Sequence, residues 1–160
     1  MHLETALGQG TKFLVHIRAA PCDTAANELG PNDTESSRGN GELILVVDDE
    51  PAVRRLASAI LVRHGYRTVT AAEGLEGSAT FLKHRDEIRL VISDVMMPQM
   101  DGPGMLRKLN EVQPGIKSIV ITGLGEEHRI AEAKAAGANV VLNKPFTAEQ
   151  LLTNVRQLLA

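Results

Sequence analysis

Asp48, Asp49, Asp94, Thr122 and Lys144 lie far apart in the chain, yet each closes a short apolar run. Leu43-Ile44-Leu45-Val46-Val47 leads into Asp48-Asp49-Glu50, and Leu90-Val91-Ile92 leads into Ser93-Asp94. Ser118-Ile119-Val120-Ile121 ends in Thr122-Gly123, and Val140-Val141-Leu142 ends in Asn143-Lys144-Pro145-Phe146. If these runs are parallel strands, their carboxyl ends share one sheet edge, where open α/β sheets bind ligands. Three carboxylates gathered there repel and raise one another's pKa unless a cation joins them. Oxygen ligands without His or Cys suit a hard cation such as Mg2+, held by few carboxylates plus waters. The Lys144 amine and the Thr122 hydroxyl supply donors for an anion. A divalent cation, an amine and a hydroxyl around one Asp are what phosphoryl transfer onto that Asp requires. Asp94 is then the nucleophile, and the cations offset charge on the transferring oxygens.

Each residue also has a plainer role when taken alone. Asp48-Asp49-Glu50 could be an acidic helix start favoured by the dipole. Asp94 could cap a helix or turn, Thr122 could cap a strand end, and Lys144 could be a solvated loop lysine. Their joint placement at four strand ends favours the common site.

The elements that must position them follow from the hydrophobic pattern. The run 43–47 is continuous, as expected of a central strand covered on both faces. Pro51 suits the first position of the next helix, which places Val53, Leu56, Ala57, Ile60 and Leu61 on one side and stops at Gly65. Thr68-Val69-Thr70-Ala71 is a weaker strand. Residues 74–84 form a helix with Ala79 and Leu82 inward, softened by Gly74 and Gly77. After the strand ending at Asp94, residues 103–111 form a helix carrying Met105, Leu106 and Leu109. A polar, Ala-rich helix spans residues 127–136 and ends at Gly137. The last helix is capped at Thr147, with Gln150 completing a capping box. The alternation predicts an α/β fold, a doubly wound five-stranded parallel sheet with five helices.

Composition narrows the class. The chain has 160 residues, enough for one ordinary domain and a tail. Only 2% are aromatic, with no Trp, which argues against a base-stacking nucleic-acid platform. A net charge of −3 argues against a phosphate-backbone footprint. Cys22 is the sole cysteine, so no internal disulfide forms. No apolar run is long enough to cross a bilayer, and the N-terminus lacks a signal-peptide pattern. The expectation is a cytoplasmic protein or fragment without membrane or nucleic-acid contact, a monomer or weak dimer.

Residues 42–160 resemble a receiver domain of two-component signalling over their whole length. The motifs are Val46-Val47-Asp48-Asp49-Glu50, Ser93-Asp94-Val95-Met96-Met97-Pro98, Met100-Asp101-Gly102, Ile121-Thr122-Gly123 and Lys144-Pro145-Phe146. The resemblance implies the flavodoxin-like receiver fold, with Asp94 accepting a phosphoryl group from phosphohistidine on a histidine kinase or histidine phosphotransfer domain. It implies that Asp49, Asp94 and the Met96 carbonyl bind Mg2+, with Asp48 acting through water. Lys144 then contacts the phosphoryl oxygens, Thr122 moves towards them, and the Lys144–Pro145 bond is cis. One departure is Val141, which stands three residues before the lysine where the family often has an aromatic that swings inward. Readout is expected to be muted or routed through the helix after Thr122. Apolar Met96 and Leu124, where attacking water would pass, predict slow hydrolysis.

At the N-terminus, Gly8-Gln9-Gly10-Thr11 precedes Lys12-Phe13-Leu14-Val15-His16-Ile17-Arg18, which alternates as a half-exposed strand. The glycines could form a plain turn or cradle a phosphate through backbone N–H groups. The stretch resembles the last glycine box and following strand of a histidine-kinase ATP-binding domain. Residues 1–18 are therefore expected to be a remnant of such a domain without ATP binding, residues 19–41 a flexible linker, and residues 42–160 the receiver. This order predicts the C-terminal part of a hybrid sensor histidine kinase whose parent can be membrane-bound. The alternatives are a stand-alone response regulator acting through protein contacts, an Asp-nucleophile phosphatase, and a degenerate receiver used only for docking. The phosphatase would want a second Asp where Met96 stands, and a regulator with a following DNA-binding domain is not expected.

Overall fold

Strands and helices alternate from residue 43 onward as the hydrophobic pattern predicts. The computed structural model describes residues 38–123 and 129–160, together with the backbone of residues 2–6, 10–14 and 127–128. The chain divides into two units, Met1–Thr34 and Glu35–Ala160. In the first, β1 (His2–Ala6) pairs antiparallel with β2 (Gly10–Leu14), setting Leu3 opposite Phe13 and Glu4 opposite Lys12. The predicted N-terminal strand thus starts earlier, at Gly10, and has a partner that the pattern does not announce. Gly8, Gln9, Val15, His16, Ile17 and Arg18 lie outside the described residues, as do Leu124 and linker residues 19–37.

The second unit runs β3 (Leu43–Val47), α1 (Pro51–Arg63), β4 (Arg67–Ala71), α2 (Gly74–Lys83), β5 (Ile88–Asp94) and α3 (Gly102–Val112). It continues through β6 (Lys117–Thr122), α4 (Glu127–Ala135), β7 (Val140–Asn143) and α5 (Ala148–Leu159). The five strands are parallel in the order β4-β3-β5-β6-β7, so the chain winds both ways from β3. Side chains alternate across the sheet with the strand period. Leu43, Leu45, Val47, Val91 and Val120 face a core closed by Phe81, Met105, Leu106, Leu109 and Ala133. Ile44, Val46, Leu90, Ile92, Ile119 and Ile121 face a second core closed by Ala57, Leu61, Leu151, Leu152 and Val155. Helices α2, α3 and α4 therefore cover one face, and α1 and α5 the other.

The punctuation falls where the sequence places it. Gly65 (φ +87°) and Gly137 (φ +100°) follow α1 and α4 in the left-handed region that only glycine enters freely. At the start of α5, Thr147 Oγ1 accepts from Gln150 N at 3.1 Å and Gln150 Oε1 accepts from Thr147 N at 2.8 Å. Among the described residues, no helix is long and apolar enough to cross a membrane.

Three expectations need correction. Ala79 and Leu82 do not point inward: α2 buries Gly74, Gly77 and Phe81 and leaves Leu82 56% exposed. The reason is close approach, since a Cβ on Gly77 would come 2.7 Å from Met105 Sδ and 3.1 Å from Val47 Cγ2. The glycine face seats the helix against β3 and α3, and the larger residues turn out. Leu56 of α1 is likewise 56% exposed, because Ala57 and Leu61 form the packing face. The folded domain also reaches back beyond residue 42: Gly39 N donates to His64 O and Gly41 N to Gly65 O, both at 2.9 Å.

Candidate functional site

The carboxyl ends of β3, β5, β6 and β7 lie side by side on one edge. Register places Val47 beside Ser93, Asp94 beside Ile121 and Thr122 beside Asn143. Asp48 follows β3, Asp94 closes β5, Thr122 closes β6 and Lys144 follows β7. Asp48 is 2% exposed, Asp94 5% and Thr122 1%, so these polar groups sit at the rim of the core.

Lys144 joins the carboxylates. Its Nζ lies 2.6 Å from Asp94 Oδ1, 3.2 Å from Asp48 Oδ2 and 3.7 Å from Glu50 Oε1. The other Asp94 oxygen, Oδ2, accepts from the Met96 amide at 2.8 Å. The other Asp48 oxygen, Oδ1, accepts from the Glu50 amide at 2.8 Å, turning the chain into α1. The Arg54 guanidinium donates to the Asp48 carbonyl from the first turns of that helix. Thr122 places its carbonyl 2.7 Å from the Lys144 amide, fixing β7 against β6 where the lysine emerges. The Lys144–Pro145 bond is cis, as the receiver resemblance implies.

Burial pushes the Asp94 carboxyl up, and the Lys144 hydrogen bond and charge pull it only part of the way back. For Lys144, burial alone would lower the ammonium, but Asp94 and Asp48 outweigh it and hold the pKa above its usual range. The result is a largely desolvated carboxylate with one oxygen on a cation and the other on a backbone amide. Such a group keeps nucleophilic oxygen close to charge-stabilising donors.

The structure brings together Asp48, Asp94 and Lys144, with Thr122 on the adjacent strand end. Asp49 is exposed and, among the described residues, forms no ion pair or side-chain hydrogen bond; no three of the described His, Cys, Asp or Glu side chains are grouped to hold a metal. The donor set still fits Mg2+. When ionised, Asp48, Glu50 and Asp94 set three carboxylates around the Lys144 ammonium, leaving two negative charges. Hard oxygen donors with that excess suit a divalent ion. Met96, 46% exposed, lies beside them and its carbonyl belongs to the same loop. Glu50 and Arg54 were not among the expected contributors. Arg54 carries no local signal, because its role depends on the α1 turn bringing it back to Asp48.

Residues 44–156 match the response regulator receiver domain family. The sensor kinase CckA of Brucella abortus (strain 2308) is 32% identical over 99% of this chain, which covers 18% of that protein. Sporulation initiation phosphotransferase F of Bacillus subtilis (strain 168) is 34% identical over 74% of this chain and 94% of its own length. Among solved structures, the CheX–CheY–BeF3–Mg2+ complex of Borrelia burgdorferi matches with a TM-score of 0.69 and 28% identity, over 74% of this chain and 89% of the matched chain.

Proposed function

This chain belongs to the response regulator receiver domain family of two-component signalling, and from that premise we propose that it takes a phosphoryl group from phosphohistidine onto Asp94. The observation that carries the reading is the state of that carboxylate: nearly buried at a strand end, with Lys144 Nζ at 2.6 Å and the Met96 amide at 2.8 Å. In the transfer an Asp94 oxygen attacks phosphorus, the phosphorus–nitrogen bond breaks, and the imidazole leaves with its electron pair. Lys144 then exchanges part of its contact with Asp94 for the phosphoryl oxygens, while Asp48 keeps the ammonium in place. The Thr122 hydroxyl supplies a further donor. Asp49, Asp94 and the Met96 carbonyl would hold Mg2+, with Asp48 through water, and the ion would neutralise charge on the phosphoryl oxygens. The structurally similar CheX–CheY complex carries Mg2+ and BeF3, a phosphoryl mimic, which supports this cofactor.

The alignment with a sensor kinase takes in 99% of the chain, including the N-terminal stretch that resembles an ATP-domain remnant. It supports a second proposal, that this receiver belongs to a hybrid histidine kinase and relays or drains phosphoryl groups for it. Incubation with an autophosphorylated histidine kinase tests the transfer. Label is expected to pass to this chain in the presence of Mg2+ and to stay on the kinase when EDTA is added; label reaching Asp94→Asn would overturn the assignment.

A further inference from the structure

Between Asp94 and α3 the chain forms a loop, residues 95–101, that is fastened at its base and on both flanks. At the base, Val95 N donates to Ile121 O at 2.8 Å and Gly102 N donates to Val95 O at 3.0 Å. On one flank Gln99, held in the left-handed region at φ +62°, donates through Nε2 to Glu73 at the start of α2. On the other flank Asp101 divides its carboxylate. Oδ1 accepts from Gly104 N at 2.8 Å and caps α3, while Oδ2 accepts from Arg129 Nη1 of α4 at 2.9 Å. The same Nη1 donates to Glu132 Oε2, one turn along its own helix, at 2.8 Å.

A nitrogen shared in this way can release the acceptor loop and remain paired within α4. Both charges of the Arg129–Asp101 pair are partly open to solvent, with side-chain exposures of 23% and 31%, so release leaves no buried charge behind. The two arrangements differ in one contact, which joins the loop after the acceptor to the helix that follows Thr122.

We propose that Arg129 is a positioning residue that ties α4 to the acceptor loop and carries the phosphorylation state of Asp94 into that helix. The inference rests on Asp94 being the phosphoacceptor. A phosphoryl group on Asp94 adds charge and volume beside the Met96 amide, the first link of the loop, and the displacement reaches Asp101 through the chain. Arg129 then follows Asp101 or falls back on Glu132, and α4 adjusts in either case. By linkage, a partner that holds α4 in one arrangement changes the ease with which Asp94 is phosphorylated.

Amide NMR spectra of the whole chain with Mg2+, with and without beryllofluoride, test the tether. In the wild type, shifts are expected both in residues 95–101 and in α4. Arg129→Gln should keep the loop shifts and lose those of α4. Asp101→Asn retains a capping oxygen for α3 and should show the same loss, with no further loss in the double variant. Arg129→Lys should restore part of the response, and unchanged amides in α1 and α5 mark the variants as folded. α4 shifts in Arg129→Gln as large as in the wild type overturn the tether. Loop shifts without α4 shifts in the wild type overturn the coupling alone, whereas no loop shifts in the wild type overturn the phosphoacceptor reading as well.

Discussion

Asp94 carries its negative charge in a place that disfavours it. Its pKa lies above the ordinary value of 3.8 because burial outweighs the pull of Lys144. A carboxyl raised by folding binds its proton more tightly in the folded state, so stability falls as pH rises from the ordinary value through the raised one. Asp94→Asn removes that titration, so its urea midpoint in metal-free buffer should fall less than that of the wild type as pH rises from acid to neutral. Lys144 works in the other window. Its pKa is raised by Asp94 and Asp48 against the pull of burial, so its stabilisation is complete below 10.5 and lost as pH climbs through the raised value. Gly102 sets a steric limit on the same site, since a Cβ there would come 2.2 Å from the Asp94 carbonyl oxygen and 3.0 Å from Ser93 Oγ. Gly102→Ala should cost about 1–3 kcal/mol by overpacking, read by chemical denaturation, and slow phosphorylation by displacing the acceptor. Asp94, Lys144 and Thr122 could be picked out from the chain because each ends an apolar run. Their common edge followed from the alternation of elements, whereas the direct 2.6 Å contact of Lys144 with Asp94 depends on the order of the strands and the path of the side chains.

At the scale of elements, α2 and α5 show what periodicity captures and what it leaves out. The face of α5 is made of Leu151, Leu152 and Val155, large apolar residues at helical spacing, and it is buried, with Leu158 and Leu159 partly so. The buried face of α2 is Gly74, Gly77 and Phe81, and glycine has no hydrophobic signal to reveal it. There the informative feature is small size, which allows the helix to approach Val47 and Met105. Phe81→Ala should therefore cost about 3–5 kcal/mol, while Leu82→Gln should stay within about 0.5 kcal/mol, as an exposed substitution does. Equal losses in the two variants, measured by thermal or urea unfolding, would contradict this placement. The pairing of β1 with β2 was hidden for a different reason: His2–Ala6 is short and carries only Leu3 and Ala6 as apolar residues.

For the whole molecule, alternation of strands and helices leaves few topologies once crossovers are right-handed, which is why one sheet edge could be named as the site in advance. The N-terminal unit, proposed to be a remnant of a kinase ATP domain, brings two strands to the described residues. Calorimetric titration with ATP and Mg2+ should return no binding; micromolar binding would contradict its reading as a remnant. The central claim, that Asp94 accepts the phosphoryl group, is tested most directly by intact-mass measurement after incubation with Mg2+ and a small phosphodonor. One phosphoryl adduct is expected on the wild type and none on Asp94→Asn. A wild type without an adduct, or an adduct that survives in Asp94→Asn, would contradict it.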